Sequence, residues 1–558
     1  MSHTKTMKTQ CGHVTIIRAS FLSKMVLKSL RVTAAILFFA ALTSFFADYL
    51  GFLPLELHGP AHLQVAPALL ASAEFGIGLV VAVWIILTLL FGRLYCSVVC
   101  PLGVLQDVMA RFRRKRRYKY RRPQHLLRYG LLTVCIAAFL IDLHLILILL
   151  DPYGIYGRLA THLLRPPLIF AHNQLALIVN ARGYYGISLV PNIVSWPSVL
   201  LSLAMLLVVA HFAWHYGRRY CNTICPVGTL LGLFSRKSLF RICLRDDCIS
   251  CGLCERACKA ECIDSKAKTV DGSRCVACFN CLSVCKRDSL LYGINTGKPV
   301  LIDKETPAEE PVGVPAKSEV GVPALVASPC EASECRRTFL GILFAVIGAS
   351  LGAAVPSSLS GVSKSSFAKK HPITPPGSGN IRRFQKRCTA CHLCVTKCPT
   401  HIIRPAIADY GPSGFLQPVV SFEHGFCNFD CVICSRVCPN LALISLDKEE
   451  KHRLQIGKVN FIKENCIVDS QQTNCGACAE HCPTGAVTMV PVGKPEDALT
   501  IPQIDPDLCV GCGACEYICP VRPFRAIYVD GNPTHLEAKP AFDPTLKQQE
   551  VKLDDFGF

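Results

Sequence analysis

Cys509-Val510-Gly511-Cys512-Gly513-Ala514-Cys515-Glu516-Tyr517-Ile518-Cys519-Pro520 sets three cysteines with two residues between each, a fourth three residues on, and a proline behind it. A C-x2-C-x2-C loop offers three thiolates to a cubic [4Fe–4S] cluster, and the fourth cysteine points away to ligate a neighbouring cluster. Working outward, five more runs follow related spacing: Cys248, Cys251, Cys254, Cys258; Cys275, Cys278, Cys281, Cys285; Cys388, Cys391, Cys394, Cys398; Cys427, Cys431, Cys434, Cys438; and Cys466, Cys475, Cys478, Cys482. The six runs use 24 of the 34 cysteines, enough for six cubanes. Disulfides are the default in small secreted domains, not in runs with two-residue gaps. Zinc sites use C-x2-C pairs but not four cysteines at this spacing before proline.

Exchange of the fourth ligand predicts how the runs pair. Cys248, Cys251, Cys254 and Cys285 form one set, and Cys275, Cys278, Cys281 and Cys258 another. Lys259 and Lys286 stand where proline usually follows. Among the last four runs a nested order is expected: Cys388, Cys391, Cys394 with Cys519; Cys509, Cys512, Cys515 with Cys398; Cys427, Cys431, Cys434 with Cys482; and Cys466, Cys475, Cys478 with Cys438. A sequential order, third run with fourth and fifth with sixth, is the alternative. Short strands are expected at 441–445 and 486–490, with short helices after each proline.

The chain has 558 residues and a mean hydropathy of +0.35. Four apolar stretches, near 30–50, 73–92, 126–150 and 195–215, are each long enough to cross a bilayer as a helix. A shorter fifth stretch covers 338–355. Basic residues cluster before the first span (Lys24, Lys28, Arg31), between the second and third (111–122, RFRRKRRYKYRR) and after the fourth (Arg218, Arg219, Arg236, Lys237, Arg241). The positive-inside rule makes that side cytoplasmic. The formal charge of +19 counts cysteines as neutral. Six thiolate-ligated cubanes near −2 subtract about 12 charges, so nucleic acid is not indicated.

The expected fold is therefore multidomain: a transmembrane bundle of four helices plus one, a two-cluster ferredoxin-like module, and a loop-rich α+β domain with four clusters. The boundaries read as an N-terminal tail (1–24), the helical domain (25–242), the cytoplasmic module (243–292), a linker (293–332), a helix (333–355), a second linker (356–380), the four-cluster domain (381–545) and a tail (546–558). The first linker holds TPAEEPVGVPAKSEVGVPALVASP at 306–329, a composition that cannot pack a core. Arg336-Arg337-Thr338-Phe339-Leu340 before an apolar run has the form of a twin-arginine export signal, with Cys335 ahead of it. This places the region beyond 355 on the outer side.

The helical domain repeats itself. Gly92-Arg93-Leu94-Tyr95-Cys96-Ser97-Val98-Val99-Cys100-Pro101-Leu102-Gly103 recurs, 125 residues on, as Gly217-Arg218-Arg219-Tyr220-Cys221-Asn222-Thr223-Ile224-Cys225-Pro226-Val227-Gly228. Residues i and i+4 share a helix face, so Cys96 pairs with Cys100 and Cys221 with Cys225 at the cytoplasmic mouth. Those four are candidate redox or metal-type residues, whether as disulfides, ligands or free thiols. Asp142 and His144, with Asp151, are candidates for a proton exit near the outer face. His125, His211 and His215 lie at comparable depth, but haem is not expected there, and no C-x2-C-H motif is present. Cys11, Cys135, Cys243, Cys262, Cys330 and Cys335 are left without a role.

With these motifs in view, residues 25–292 resemble NapH, the membrane subunit of a quinol dehydrogenase: four spans, C-x3-C-P at 96–101 and 221–226, and a cytoplasmic two-cluster module. Residues 333–545 resemble NapG, an exported four-cluster ferredoxin, a design shared by the MauM family. The resemblance implies a NapH–NapG fusion in a bacterial inner membrane that oxidises quinol from the quinone pool and passes electrons to a periplasmic reductase or cytochrome. It carries no terminal reductase site. A NosR-like regulatory electron carrier and a conduit that needs no quinone are the alternatives.

Overall fold

The computed structural model describes residues 14–15, 21–54, 59–71, 75–112, 118–183, 186–245, 247–287, 289–295, 369–492 and 499–539. The fifth apolar stretch, the twin-arginine motif, the first linker from residue 296 on, Cys11, Cys330, Cys335 and the last 19 residues lie outside the described residues, while 293–295 of that linker belong to a strand.

The first half is helical: α1 (Phe21–Ala47), α2 (Gly59–His62), α3 (Val65–Leu70), α4 (Phe75–Phe91), α5 (Tyr95–Val98), α6 (Pro101–Phe112), α7 (His125–Leu140), α8 (Leu145–Leu150), α9 (Pro152–Leu159), α10 (Arg165–Asn180), α11 (Trp196–Tyr216), α12 (Arg219–Thr223) and α13 (Pro226–Ser235). Among the described residues two helices, Met25–Ala47 and Trp196–Tyr216, are long and apolar enough to cross a membrane. The second and third stretches form the shorter α4 and α7, of 17 and 16 residues. Leu30, Ile36 and Leu37 on α1 and Leu200 and Leu207 on α11 are exposed. An apolar surface of this extent needs lipid or protein against it.

The third stretch is not one continuous helix, contrary to expectation. α7 stops at Leu140, and Asp142 takes a left-handed turn at φ 60°. The chain restarts as α8, and Asp151 then caps α9, accepting from Tyr153 N at 3.3 Å and Gly154 N at 2.7 Å with Pro152 at the first helical position. Beyond it, α9, a π-helical turn at Ala160–Leu164 and α10 were not foreseen. Arg158, His162 and Arg165 interrupt the apolar pattern there, yet all three are buried.

The first cysteine-rich module is built on an antiparallel sheet ordered β1 (Val14–Thr15), β5 (Leu290–Asn295), β2 (Phe240–Leu244), beside a hairpin of β3 (Ile263–Asp264) and β4 (Thr269–Val270). Its edge strand β1 comes from the segment read as the N-terminal tail. The second module has three antiparallel pairs: β6 (Ile403–Pro405) with β7 (Pro418–Val420), β8 (Leu454–Phe461) with β11 (Ile527–Glu537), and β9 (Val487–Val492) with β10 (Leu499–Ile504).

Three local expectations are corrected. Residues 441–445 form no strand. Leu441 has φ 49°, and the carbonyls of Leu441 and Ala442 accept instead from the Arg383 guanidinium at 2.7 and 3.1 Å. The short helices precede the prolines rather than follow them, as in Leu393–Lys397 and Ala514–Ile518, because the turn lies between the third and fourth cysteines. Residues 369–380, read as linker, belong to the second module. Ile373 bridges to Val420, His371 N donates to Asp530, and Lys369 pairs with Glu516 at 2.9 Å.

Candidate metal centres

Four of the six runs share one backbone pattern. Residues two and four positions after the first cysteine are left-handed: Ser250 and Gly252, Ala277 and Phe279, Ala390 and His392, Gly511 and Gly513. Such alternation curls a C-x2-C-x2-C loop around a centre. The fourth and fifth runs, whose first gaps are longer, show no such pair. Glycine at 511 answers a second demand: a Cβ there would press on the Gly457 backbone at 2.5–2.9 Å.

The thiols gather in fours. Cys254 lies within electrostatic reach of Cys248, Cys285 and Cys251. Cys281 is within reach of Cys278, Cys258 and Cys275. In each set the fourth thiol comes from the other run.

In the second module the order is sequential, not nested. Cys394 neighbours Cys388, Cys391 and Cys438, and Cys434 neighbours Cys427, Cys398 and Cys431. Cys515 neighbours Cys512, Cys509 and Cys482. Cys466, Cys475, Cys478 and Cys519 line one cavity with Phe461 and Pro520. The nested assignment of Cys519, Cys398, Cys482 and Cys438 is therefore overturned, and the same 24 cysteines remain. The physical reason is strand pairing. The β6–β7 pair closes between the third and fourth runs, whereas β8, after the fourth run, pairs with β11 beyond the sixth and so brackets the fifth and sixth together.

The donor sets fit iron–sulfur clusters. Burial raises the Cys254 thiol to about 11, the Cys391 thiol to about 12 and the Cys512 thiol to about 12, and neighbouring thiols add to the rise. Four such groups ionise together only around a cationic core. Among the described residues no group of three or more His, Cys, Asp or Glu side chains is tight enough for a single metal ion.

At position 259, lysine in place of proline finds its explanation here. The Lys259 carbonyl accepts from Arg218 N at 3.0 Å, and its ammonium pairs with Asp107 at 3.2 Å, which ties the first module to the bundle. Cys262, given no role by its spacing, lies 3.5 Å sulfur-to-sulfur from Cys258. A tight turn puts it there: Glu261 is left-handed at φ 52°, and its N–H donates to the Cys258 carbonyl at 3.1 Å.

Cys96, Cys100, Cys221 and Cys225 are all buried, and Cys225 lies within electrostatic reach of the other three. The repeat explains the geometry. In each half the second cysteine's N–H donates to the tyrosine carbonyl at 3.0 Å, Cys100 to Tyr95 and Cys225 to Tyr220. Each second cysteine also precedes the proline that opens α6 or α13, and its carbonyl accepts the first helical bond, from Val104 N at 3.1 Å or Thr229 N at 3.0 Å. The motif glycine follows from close approach. A Cβ on Gly103 would collide with the Cys96 carbonyl and the Arg218 guanidinium, and one on Gly228 with the Cys221 carbonyl and Arg93. The motif arginines cross between halves: Arg93 Nη2 donates to Cys221 O at 3.0 Å, and Arg218 Nη1 to Cys96 O at 2.6 Å.

Asp142, His144 and Asp151 do not form one site. Asp142 is exposed and pairs with Lys386 at 3.0 Å, whereas Asp151 is fully buried as the α9 cap. His144 Nδ1 lies 2.9 Å from the Asp142 carbonyl. Of the histidines weighed for haem, His211 and His215 lie ring against ring at 4.8 Å, while His125 stacks on Tyr129. A histidine pair not foreseen joins the bundle to the second module: His162 Nε2 lies 2.8 Å from His392 Nδ1, and His392 Nε2 lies 2.8 Å from Leu416 O. With Leu416 O as acceptor, His392 Nε2 carries a proton and His162 donates to Nδ1.

Comparison with known proteins agrees with the thiol geometry. A family described as a 4Fe-4S dicluster domain matches residues 473–522, and one described as a 4Fe-4S binding domain matches 74–119 and 196–243. The ferredoxin-type protein NapF of Escherichia coli is 31% identical over 157 residues, 28% of this chain and 85% of NapF. The chain belongs to this family of ferredoxin-type proteins. An uncharacterized protein of Methanocaldococcus jannaschii is 27% identical over 37% of this chain and 75% of its own length. The methylamine utilization ferredoxin-type protein MauM of Methylobacillus flagellatus is 30% identical over 26% of this chain and 63% of MauM. No solved structure matches the chain. The chain is thus an iron–sulfur protein of the polyferredoxin kind.

Proposed function

We propose that this chain is a membrane-spanning electron carrier that oxidises quinol and delivers electrons to a periplasmic reductase or cytochrome, as a fusion of NapH-like and NapG-like halves. One observation carries this reading: the two ends of α1 hold the two modules. Lys28 donates to Ser283 of the first module at 3.4 Å, and Asp48, just beyond α1, pairs with Lys397 of the second. Twenty helical residues between them span about 30 Å, the thickness of a bilayer's hydrocarbon core.

Iron–sulfur clusters at the six thiol sets would supply one-electron storage and transfer. The protein's own residues set the sidedness. Basic side chains gather around the first module: Arg274 donates to the Arg121 carbonyl at 2.7 Å, and Arg128 to Ser273 Oγ at 3.0 Å. By the positive-inside rule this end faces the cytoplasm. The second module then faces the periplasm, where an acceptor can reach it. The exposed apolar sides of α1 and α11 meet lipid.

The test is an anaerobic titration of the full chain with menaquinol and ubiquinol, following cluster reduction by EPR. Reduction by quinol is the expected result. Reduction by dithionite but by neither quinol would leave a carrier that draws on another donor.

A further inference from the structure

We propose that Cys96, Cys100, Cys221 and Cys225 jointly hold a seventh iron–sulfur cluster, shared between the two halves of the bundle and seated between the two ferredoxin modules. This stands whether or not quinol is the electron source. It goes beyond the six runs, because each C-x3-C-P motif brings only two thiols and no single segment makes a set.

Three independent observations point to it. First, the four thiols converge: Cys100 lies within reach of Cys221 and Cys96, and Cys225 of all three. No two of them bond; their nearest polar partners are Arg93, Gln106 and the Gly228 N–H, at 3.7, 3.5 and 3.3 Å. The sulfurs are thus held apart, as in the six module sets, and not paired for disulfide.

Second, the surroundings are cationic and carry spare donors. Arg93 and Arg218 are 0% and 1% exposed, and each braces the opposite half. Gln106, fully buried, accepts from the Cys221 thiol and leaves its Nε2 without a partner; Arg218 Nη2 and Arg93 Nε are likewise unpartnered. Buried donors are rarely left unpaired. An anionic group with sulfur acceptors would satisfy both the donors and the charge.

Third, the position is central. On one side Arg93 Nη1 donates to the Ser273 carbonyl at 3.2 Å, two residues before Cys275. On the other, the Tyr220 hydroxyl donates to the Leu150 carbonyl at 3.3 Å. From the helix that follows Leu150, Arg158 Nη2 reaches Ile148 O at 2.8 Å while its Nη1 reaches Ala390 O at 3.2 Å, inside the third run. The four thiols lie between two of the module sets.

The experiment is iron and acid-labile sulfide per chain, with Mössbauer spectra, on anaerobically prepared full chain. The variants are C96S/C100S, C221S/C225S and all four together. A shared cluster gives about 28 iron atoms in the wild type and about 24 in each double variant, with the quadruple variant losing no more. The same spectral component disappears in all three. About 24 iron atoms in the wild type, additive losses from the two pairs, or a Cys96–Cys100 or Cys221–Cys225 disulfide found by peptide mapping would overturn the proposal. Should the serine variants fail to fold, the wild-type iron count and disulfide map decide alone. Quinol reduction of the six module sets is read separately, so failure here leaves that reading intact.

Discussion

Arg218 and Cys96, 122 residues apart, meet at the centre of the bundle: the Arg218 Nη1 donates to the Cys96 carbonyl at 2.6 Å. The same guanidinium donates from Nε to Asp107 at 2.7 Å. Through one side chain the second repeat grips the first. Breaking one partner of a buried ion pair costs about 3–5 kcal/mol. Arg218→Met should therefore lower thermal stability by an amount in this range. Arg218→Lys keeps the charge but cannot serve both acceptors, and should lose less. Equal losses for the two in thermal unfolding would show that the charge alone contributes nothing, and a lysine variant as stable as wild type would show that the two-pronged geometry does not matter.

Close packing at the motif glycines makes a second prediction. Gly103→Ala and Gly228→Ala each drive a methyl into a carbonyl and an arginine, whereas an added methyl on Gly130 in α7 would meet nothing within 4 Å. The first two should destabilise by about 1–3 kcal/mol. Gly130→Ala should stabilise by up to about 1 kcal/mol through helix propensity. Chemical unfolding of the three variants side by side gives the comparison.

The docking of the second module rests on a pair that water scarcely reaches. Lys397 and Asp48 are each 6% exposed. Lys397→Met leaves the Asp48 carboxylate buried, with only the Phe52 and Leu53 N–H groups to hold it. The module should loosen by about 3 kcal/mol or more. Hydrogen exchange over 393–405 reads this directly, and unchanged protection there would refute the role of the pair.

Sequential pairing of the runs separates Cys438 from Cys519. Cys438 stands with Cys388, Cys391 and Cys394, and Cys519 lines the cavity with Cys466 and Cys475. Cys438→Ser should alter the same EPR signal as Cys388→Ser, and Cys519→Ser the same signal as Cys466→Ser. The nested order predicts the reverse, with Cys519→Ser matching Cys388→Ser.

Acid should weaken the second module through His535. Burial lowers this imidazole to about 4, helped by nearby Lys451. Its Nε2 lies 2.8 Å from Thr374 Oγ1 and 3.1 Å from Ser378 Oγ, the place of an acceptor that protonation would remove. The folded state thus binds its proton later than the unfolded one. The neutral histidine costs nothing above about pH 6.5, and stability falls as pH drops from there toward 4. The loss reaches about 3 kcal/mol below pH 4. His535→Asn should flatten this part of the stability profile, and an unchanged slope would exclude His535 as its source.

The ligand thiols were legible because a cluster imposes short, regular spacing on the chain, and spacing is what a sequence displays. The apolar stretches at 30–50 and 195–215 were legible for a similar reason: length and composition suffice for an apolar helix. The break at Asp142 was not, since a single left-handed residue and the Asp151 cap divide a run whose composition is uniform. The helical run of α9, the π turn and α10 was hidden for the opposite reason. Its Arg158, His162 and Arg165 look exposed until the second module covers them.

What the sequence determined by itself was the inventory: 24 cysteines in six runs, and a twice-written C-x3-C-P motif, each fixed by local covalent spacing. What only the tertiary structure decided was company: which run completes which set, and that the two motifs bring their four thiols together. Those meetings depend on long-range packing, such as β8 against β11 and the crossed arginines Arg93 and Arg218. Local spacing carries no record of how distant segments fold back on one another.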